Sequence, residues 1–327
     1  SARIAGLVMA TVGVVGRGVV GQRISRRLPT VLGGVTIFDY DPRAGQPLRA
    51  DVDVVVLAQS GAHAAVAQTM IERGVAVISV SDELDDVRAL LDLDDAARDA
   101  DVPLVVGAGM APGLTELLAR MLVSQMAGFD EIHLAIHGTA GPACARRHHR
   151  ALRGRAVGLH DGTWIQRPAG SGRELAFFPE PVGPYDCYRA ELASPLLIHQ
   201  SFAGVDRISA RMSANRRDRF TAWLPMLSPP HREGGVGAVR VEVRGNDPSG
   251  ARVTSIVGVA ELAGTAAAAT AAAFTVEALN GRLPIGAIRA GDDTLDTMSL
   301  LRNVSQLGVR LQEFTGVPSA QRISANP

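Results

Sequence analysis

The sequence V-G-V-V-G-R-G-V-V-G occupies residues 12–21, where it ends the apolar run Ile4–Val15 and leads into a helical pattern. Gly16, Gly18 and Gly21 have the spacing G-x-G-x-x-G. In this context the first glycine permits a tight turn, the second lets the backbone approach a pyrophosphate, and the third lets the helix pack closely on the strand. Phosphate oxygens then meet free N–H groups at the helix start. The stretch predicts a dinucleotide-binding βαβ unit. The alternative is a βαβ unit whose glycines serve packing alone.

An acidic residue follows at the expected distance. The segment Val35–Asp39 reads V-T-I-F-D and ends 18 residues after Gly21. A carboxylate at this place accepts hydrogen bonds from the adenosine ribose. Because Asp39 would repel a 2′-phosphate, the sequence favours NAD. Arg43, four residues further on, keeps NADP open.

Alternating apolar runs and helical patterns continue through residues 1–128. The runs are rich in Val, Ile and Leu, as expected of parallel strands buried on both faces. We therefore predict an α/β fold with a doubly wound parallel Rossmann sheet. The strand candidates are Val12–Val15, Val35–Phe38, Val52–Ala58, Val75–Val80 and Leu104–Val106, and the helix candidates are Gly18–Leu28, His63–Arg73 and Leu84–Asp99.

A second informative segment, Gly107–Arg120, reads G-A-G-M-A-P-G-L-T-E-L-L-A-R. Its glycines and proline place backbone amides and a helix start at the carboxyl ends of the strands, where ligands bind in such sheets. An ordinary loop before a second domain is the alternative. His63 is interpreted as a surface histidine at a helix start. The predicted cofactor-binding residues are Gly16, Arg17, Gly18, Val19, Val20, Gly21, Asp39, Ala58, Ser60, Gly109, Met110 and Pro112.

The pattern changes after Phe129, where polar and apolar residues alternate as in a half-exposed strand. Here we predict a second α+β domain on a mostly antiparallel sheet, with strands at Asp130–His137, Arg207–Met212, Ala238–Arg244 and Arg252–Glu261. The Ala-rich helix Leu262–Leu279, a last helix Leu295–Phe314 and a loose tail from Pro318 follow. The expected domains are 1–128 for the dinucleotide, 129–262 for substrate and dimerisation, and 263–327 for C-terminal helices that return to the first domain.

Composition narrows the function classes. The 327-residue chain is 46% hydrophobic and has a formal net charge of zero, which argues against nucleic acid or an anionic membrane as the main partner. It contains no run of 18 apolar residues, so no membrane span is predicted. Cys144 and Cys187 form no disulfide framework and are expected to be reduced thiols in a cytoplasmic protein.

All 33 basic side chains are arginine, because the sequence contains no lysine. This excludes a Schiff base, a pyridoxal-phosphate lysine, a P-loop lysine and a lysine general acid. Sugar dehydrogenases of the glucose–fructose oxidoreductase type use a Glu-Lys-Pro segment after a later strand. The corresponding segment here, Val77–Glu83, has neither Lys nor Pro, which disfavours sugar or hydroxy-acid oxidation.

Together the motifs resemble the saccharopine dehydrogenase-like superfamily, whose members act on C–N bonds of amino acids with a nicotinamide cofactor. The resemblance rests on G-x-G-x-x-G, on Asp39, and on G-x-G-x-x-P-G-L at residues 107–114. In the second domain it rests on Gly138–Gly141 and on F-P-E-P-V-G at residues 178–183, and it spans about residues 10–285. It implies an NAD(P)-dependent oxidoreductase of amino-acid metabolism. With the Ala-rich helix, it also implies a homodimer.

One departure from the family pattern bears on the chemistry. Family members often carry Asp where this chain has Ala111, so any role of that carboxylate is missing here. A non-catalytic dinucleotide-binding sensor or partner subunit is therefore the alternative function.

Candidates for the chemistry come from the second domain. The basic segment Ala143–Arg155 follows its first strand, and arginine pairs well with carboxylates. The predicted substrate-binding residues are Arg146, Arg147 and Thr139, although a solvated basic helix face would explain any single arginine. Since lysine is absent, we expect histidine or tyrosine to move the proton. The candidates, in order, are His137, Tyr185 and His148.

Metal binding is not predicted. His148 and His149 lie close to Cys144 in sequence, but no carboxylate or second cysteine stands at ligand spacing to complete a zinc site.

Overall fold

The first of two sheets is a parallel six-stranded sheet in the order β14-β5-β4-β3-β1-β2. The computed structural model describes residues 10–45, 48–49 and 51–313. Residues 4–9 of the predicted first strand, Phe314 and the tail from Pro318 lie outside these ranges. The strands are β1 (Ala10–Val15), β2 (Val35–Tyr40), β3 (Val54–Leu57), β4 (Ala76–Ser79), β5 (Pro103–Val106) and β14 (Gly286–Arg289).

This sheet confirms the predicted Rossmann architecture. Its central strands β3 and β4 are buried along their whole length, which explains their unbroken apolar sequences. The strand β14 was not predicted, because its sequence G-A-I-R lacks the run of Val, Ile and Leu that marks the equally short β3. The helices of this part are α1 (Val19–Val31), α2 (Ala64–Ile71), α3 (Leu84–Leu91), α4 (Asp94–Asp99) and α5 (Leu114–Val123).

The second sheet has nine strands in the described chain and is antiparallel except where β6 meets β11. This confirms a mostly antiparallel second sheet. Its strands are β6 (Gly128–His137), β7 (Arg155–His160), β8 (Thr163–Pro168), β9 (Glu174–Phe177), β10 (Pro184–Arg189), β11 (Arg207–Ser213), β12 (Val236–Asn246), β13 (Arg252–Leu262) and β15 (Leu311–Glu313). Five of these strands were missed, β7–β10 and β15, the last of which lies within the predicted helix Leu295–Phe314.

Five further helices accompany these strands in the described residues. They are α6 (Pro142–Ala151), α7 (Ser194–Ser201), α8 (Arg216–Phe220), α9 (Ala263–Leu279) and α10 (Thr297–Gln306). The predicted last helix extends too far in both directions. Asp296 caps the start of α10 through Ser299 N, and Gly308, with φ of +95°, follows its end.

The helix α9 lies between the two sheets. It contacts β3 and β4 of the first sheet and β12 and β13 of the second, and residues 263–277 are all buried. Alanine at this density keeps the helix thin enough for both sheets to approach it. The helix therefore has no face left for a partner subunit, and it does not support the homodimer that its composition suggested.

Among the described helices, none is both long enough and apolar enough to cross a membrane.

The packing of α9 leads to a stability prediction. We expect Ala268→Leu, at a fully buried position, to lower the free energy of unfolding by about 1–3 kcal/mol through overpacking. Ala65→Leu, on an exposed position of α2, should change it by less than about 0.5 kcal/mol. Urea denaturation of both variants checks this. Equal losses would contradict the central position of α9.

Candidate functional site

A cleft of about 640 Å³ opens at the carboxyl ends of the parallel strands, between them and the start of α6. Ligands bind at this edge in open α/β sheets. The cleft brings together most of the predicted cofactor and substrate residues. Those that line it are Gly16, Arg17, Gly18, Val19, Val20, Ala58, Ser60, Gly109, Met110, Thr139, Arg146, Arg147 and His148. Gly21, Asp39, Pro112, His137 and Tyr185 do not line it.

The three glycines of the first turn have different reasons to be glycine. Gly16 has φ of +112°, and a Cβ there would lie 2.5 Å from the Gln59 amide nitrogen. A Cβ on Gly21 would collide with the Gly16 carbonyl oxygen. Packing thus explains both. A Cβ on Gly18 would meet no atom of the described chain within 4 Å, and its φ is an ordinary −77°. The protein's own packing does not require glycine at 18, whereas a ligand at the helix start would.

Two helix N-termini meet at this cleft. Gly18 caps α1 and Gly141 caps α6, neither with a side-chain hydrogen bond, and neither helix has an acidic residue in its first turn. The two caps are close, because a Cβ on Gly141 would lie 2.8 Å from the Val19 Cγ2 atom. Free N–H groups and two positive dipole ends therefore make this part of the cleft favourable for anions.

The acidic residue predicted to bind the ribose is placed differently from the expectation. Asp39 accepts a hydrogen bond of 2.5 Å from the Ser25 hydroxyl and lies outside the cleft lining. Asp41, two residues further on, lines the cleft together with Arg26 and Arg43. Within the described chain neither arginine forms an ion pair. The preference for NAD that rests on Asp39 therefore stays a prediction, while the charged groups that line this end of the cleft are two arginines and one carboxylate.

His63 was predicted to be a surface residue, but it is buried and only 1% exposed. Its Nε2 lies 3.0 Å from the Gln59 carbonyl oxygen, which can only accept, so Nε2 carries the proton and Nδ1 accepts from the Ser79 hydroxyl at 2.8 Å. Burial lowers the pKa of His63, which keeps the ring neutral. The ring thereby fixes the loop after β3 that forms one wall of the cleft.

The segment at residues 107–116 folds back on itself below the cleft. Gly113 begins α5 with φ of +129°, and the Glu116 carboxylate accepts its N–H at 2.6 Å. Burial raises the pKa of Glu116. Gly109 and Met110 line the cleft, whereas Pro112 packs against Gly107 behind them. The predicted contact with the cofactor is therefore available to Gly109 and Met110 but not to Pro112.

Two of the three proton-transfer candidates, His137 of β6 and Tyr185 of β10, do not line this cleft. Ile136 lines the cleft, and successive side chains of a strand alternate between faces. His137 instead contacts the Ser213 hydroxyl through Nδ1 at 2.9 Å, and its ring lies 4.2 Å from that of Tyr185. Burial lowers the pKa of His137. The cleft geometry gives no support to a catalytic role for this pair.

The two candidate arginines of α6 differ in their environment. Arg147 is buried, and its guanidinium donates to the carbonyl oxygens of Asp82 and Glu191 at 3.0 and 3.1 Å. It thus holds the loop after β4. Arg146 is exposed to the cleft and has no ion pair among the residues that the structure covers. Arg146 is therefore the arginine that remains available for a substrate carboxylate.

Three side chains form a cluster on the wall of the cleft, which we call the Asp82 cluster: Asp82, Cys144 and His148. His148 Nε2 lies 3.7 Å from Cys144 Sγ and 3.6 Å from Asp82 Oδ2. Burial alone lowers the pKa of His148, but the neighbouring Cys144 and Asp82 groups outweigh it and raise that pKa to about 10. Burial raises the pKa of Asp82, but His148 and Arg147 hold it below its usual value.

Several residues of the cleft were not predicted. Asp82 and Glu83 follow β4 and so stand at the carboxyl end of a parallel strand, a signal that was present in the sequence. Gln59 stands in the same way after β3. No sequence pattern, by contrast, connects Asp82 to Cys144, since the two are 62 residues apart.

No family model and no curated protein sequence matches the chain. Solved structures do. Saccharopine dehydrogenase (L-Glu forming) from Saccharomyces cerevisiae is 12% identical, with 94% of this chain and 100% of that chain covered and a TM-score of 0.64. DAP dehydrogenase of C. glutamicum, in complex with DAP, is 13% identical, with 98% and 100% covered and a TM-score of 0.51. The chain therefore has a saccharopine dehydrogenase-like fold.

Proposed function

We propose that the chain is an NAD(P)-dependent oxidoreductase that acts on a C–N bond of an amino acid or imine. The observation that carries this proposal is Gly18, a glycine at a helix start in the cleft that no contact within the protein requires. A bound pyrophosphate would explain the glycine, because a side chain at position 18 would block its oxygens from the backbone amides at the helix start. The fold neighbours, by name dehydrogenases of saccharopine and of DAP, agree with this class.

In this proposal the cofactor and the substrate both bind in the cleft. The dinucleotide lies across the carboxyl ends of β1 and β3, with its pyrophosphate at α1. Arg146 of α6 holds a carboxylate of the substrate from the opposite wall. Hydride then passes between the nicotinamide and the carbon bonded to nitrogen, and the protein aligns the two. We place proton transfer at the Asp82 cluster, because it contains His148, the candidate that lines the cleft.

We further propose that the cofactor is NADP(H) in preference to NAD(H). Two arginines and one carboxylate, Arg26, Arg43 and Asp41, line the cleft beside the end of β2. The adenosine ribose lies at this end in such sheets, and an arginine there accommodates the 2′-phosphate. Asp39 accepts a hydrogen bond from Ser25 and does not line the cleft, so the charged groups that line this end are the two arginines and Asp41.

A sensor without turnover is the second candidate function, and Ala111 favours it, because Ala111 lines the cleft where relatives often carry a carboxylate. The two functions differ in turnover. A catalyst consumes NADPH when it is given a suitable mixture of 2-oxo acid and amine, and the absorbance of NADPH measures this. A sensor binds the cofactor and leaves it unchanged.

The first prediction concerns the pyrophosphate. We expect Gly18→Asp to weaken dinucleotide binding at least about 100-fold, because a carboxylate at the pyrophosphate costs several kcal/mol. Isothermal titration calorimetry with NADPH measures this. Gly33→Asp is the matched control, since a Cβ there also meets no described atom within 4 Å and Gly33 lies outside the cleft. Unchanged affinity in Gly18→Asp would refute the cofactor site.

The second prediction concerns the 2′-phosphate. The double variant Arg26→Ala, Arg43→Ala should lose at least about tenfold in NADPH affinity, since each charged hydrogen bond is worth about 1.5–3 kcal/mol. Its NADH affinity should stay within about twofold. Arg88→Ala, an exposed change on α3, serves as the control. Equal losses for NADPH and NADH, or tighter binding of NADH to the unmodified protein, would contradict the NADP assignment.

The third prediction concerns the substrate carboxylate. With a substrate found by the absorbance screen, Arg146→Ala should raise KM at least about tenfold, because it removes a charged hydrogen bond to the carboxylate. Arg153→Ala tests specificity, since Arg153 belongs to the same basic segment but does not line the cleft. Similar KM values in both variants would show that Arg146 is only a solvated surface charge.

A further inference from the structure

The Asp82 cluster has the composition of a metal site. The cluster contributes one carboxylate oxygen, one sulfur and one imidazole nitrogen, all within 4.8 Å of one another. The sequence offered Cys144 and His148 but no carboxylate, and the loop after β4 supplies it from 62 residues away. Carboxylate, thiolate and imidazole are the three ligand types that zinc binds in proteins.

The two distances from His148 Nε2, to Cys144 Sγ and to Asp82 Oδ2, are compatible with three ligands of one tetrahedral ion. The Nε2–Oδ2 separation between His148 and Asp82 is 3.6 Å, longer than a hydrogen bond. Usual zinc bond lengths at a tetrahedral angle place a sulfur and a nitrogen ligand about 3.6 Å apart, and a nitrogen and an oxygen ligand about 3.3 Å apart. The observed 3.7 and 3.6 Å are close to both values.

The surroundings orient the ligands. Cys144 and His148 stand four residues apart on α6 and therefore on one face of the helix. The buried Arg147 Nε lies 4.0 Å from Asp82 Oδ1, which leaves Oδ2 towards His148. Glu83 forms salt bridges with Arg147 and Arg150 at 3.8 and 3.4 Å. Outer contacts of this kind fix the orientation of metal ligands.

We propose that Asp82, Cys144 and His148 bind one zinc ion on the wall of the cleft. The charges of a thiolate and a carboxylate balance those of the ion. Three protein ligands leave the fourth position open, as in catalytic zinc sites, and all three residues line the cleft. The open position takes water or an oxygen of the substrate, and zinc lowers the pKa of a bound water. With zinc bound, the water of the Asp82 cluster and not the His148 ring would carry the proton, a refinement that rests on the proposed function.

Zinc content and cobalt spectra test this proposal without any dinucleotide, so the outcome is independent of the proposed oxidoreductase activity. Protein freed of metal by a chelator is equilibrated with zinc, desalted and analysed by mass spectrometry for zinc. We expect one ion per chain. Cys144→Ser, His148→Gln and Asp82→Asn should each weaken zinc binding at least about tenfold, the effect that even outer-shell changes reach.

Cys187→Ala and His199→Gln are the controls and should bind zinc as the unmodified protein does, because Cys187 is buried in the second sheet and His199 is exposed. Cobalt substitution in the unmodified protein gives a second measurement that needs no variant. A thiolate-to-cobalt absorption band and intense visible bands of a tetrahedral ion are expected. Less than stoichiometric zinc, undiminished binding by Cys144→Ser, or a cobalt spectrum without the thiolate band would overturn the proposal.

Discussion

The site depends on the close packing around one side chain, Val19, at the start of α1. A Cβ on Gly141 or on Gly264 would lie 2.8 Å from a Val19 methyl group. The two glycines therefore let α6 and α9 approach α1 at the same point. Two residues further along, Gly21 allows α1 to lie against the Gly16 carbonyl. Without these approaches the starts of α1 and α6 would not share a cleft.

Electrostatics then divides the cleft into two parts. Near the starts of α1 and α6 lie backbone amides together with Arg17 and Arg146, which form no ion pair within the described residues, so this part attracts anions. On the wall formed by the loop after β4, the carboxylates of Asp82 and Glu83 balance Arg147 and Arg150. A dinucleotide phosphate and a substrate carboxylate suit the first part, whereas the proposed zinc ion in the second part depends on the additional charge of a Cys144 thiolate.

Local patterns in the sequence were sufficient for the fold class and for five of the six strands of the parallel sheet. The first turn, the apolar strands and the Ala-rich helix all have signals within about 20 residues, and the parallel sheet forms where they predicted it. The strands β9 and β14, with the sequences E-L-A-F and G-A-I-R, lack the unbroken apolar run that marks β3. Long-range pairing decides whether such segments become strands, and sequence periodicity carries no information about it.

The site was only partly predictable, and the reasons differ by residue. The alternation in β6 already put Ile132, Ile136 and His137 on known faces, so the position of His137 away from the cleft follows from the sequence. The hydrogen bond from Ser25 to Asp39 depends on how α1 packs beside β2, and the meeting of Asp82 with Cys144 depends on how two parts of the chain assemble. These contacts could only be learned from the three-dimensional structure.

A crystal structure of the protein grown with NADP tests the central claim most directly. The account predicts electron density for the pyrophosphate within hydrogen-bonding distance of the first backbone amides of α1, next to Gly18. It also predicts the 2′-phosphate beside Arg26 and Arg43. Density for the dinucleotide elsewhere, or a cleft without dinucleotide density at saturating NADP, would contradict it.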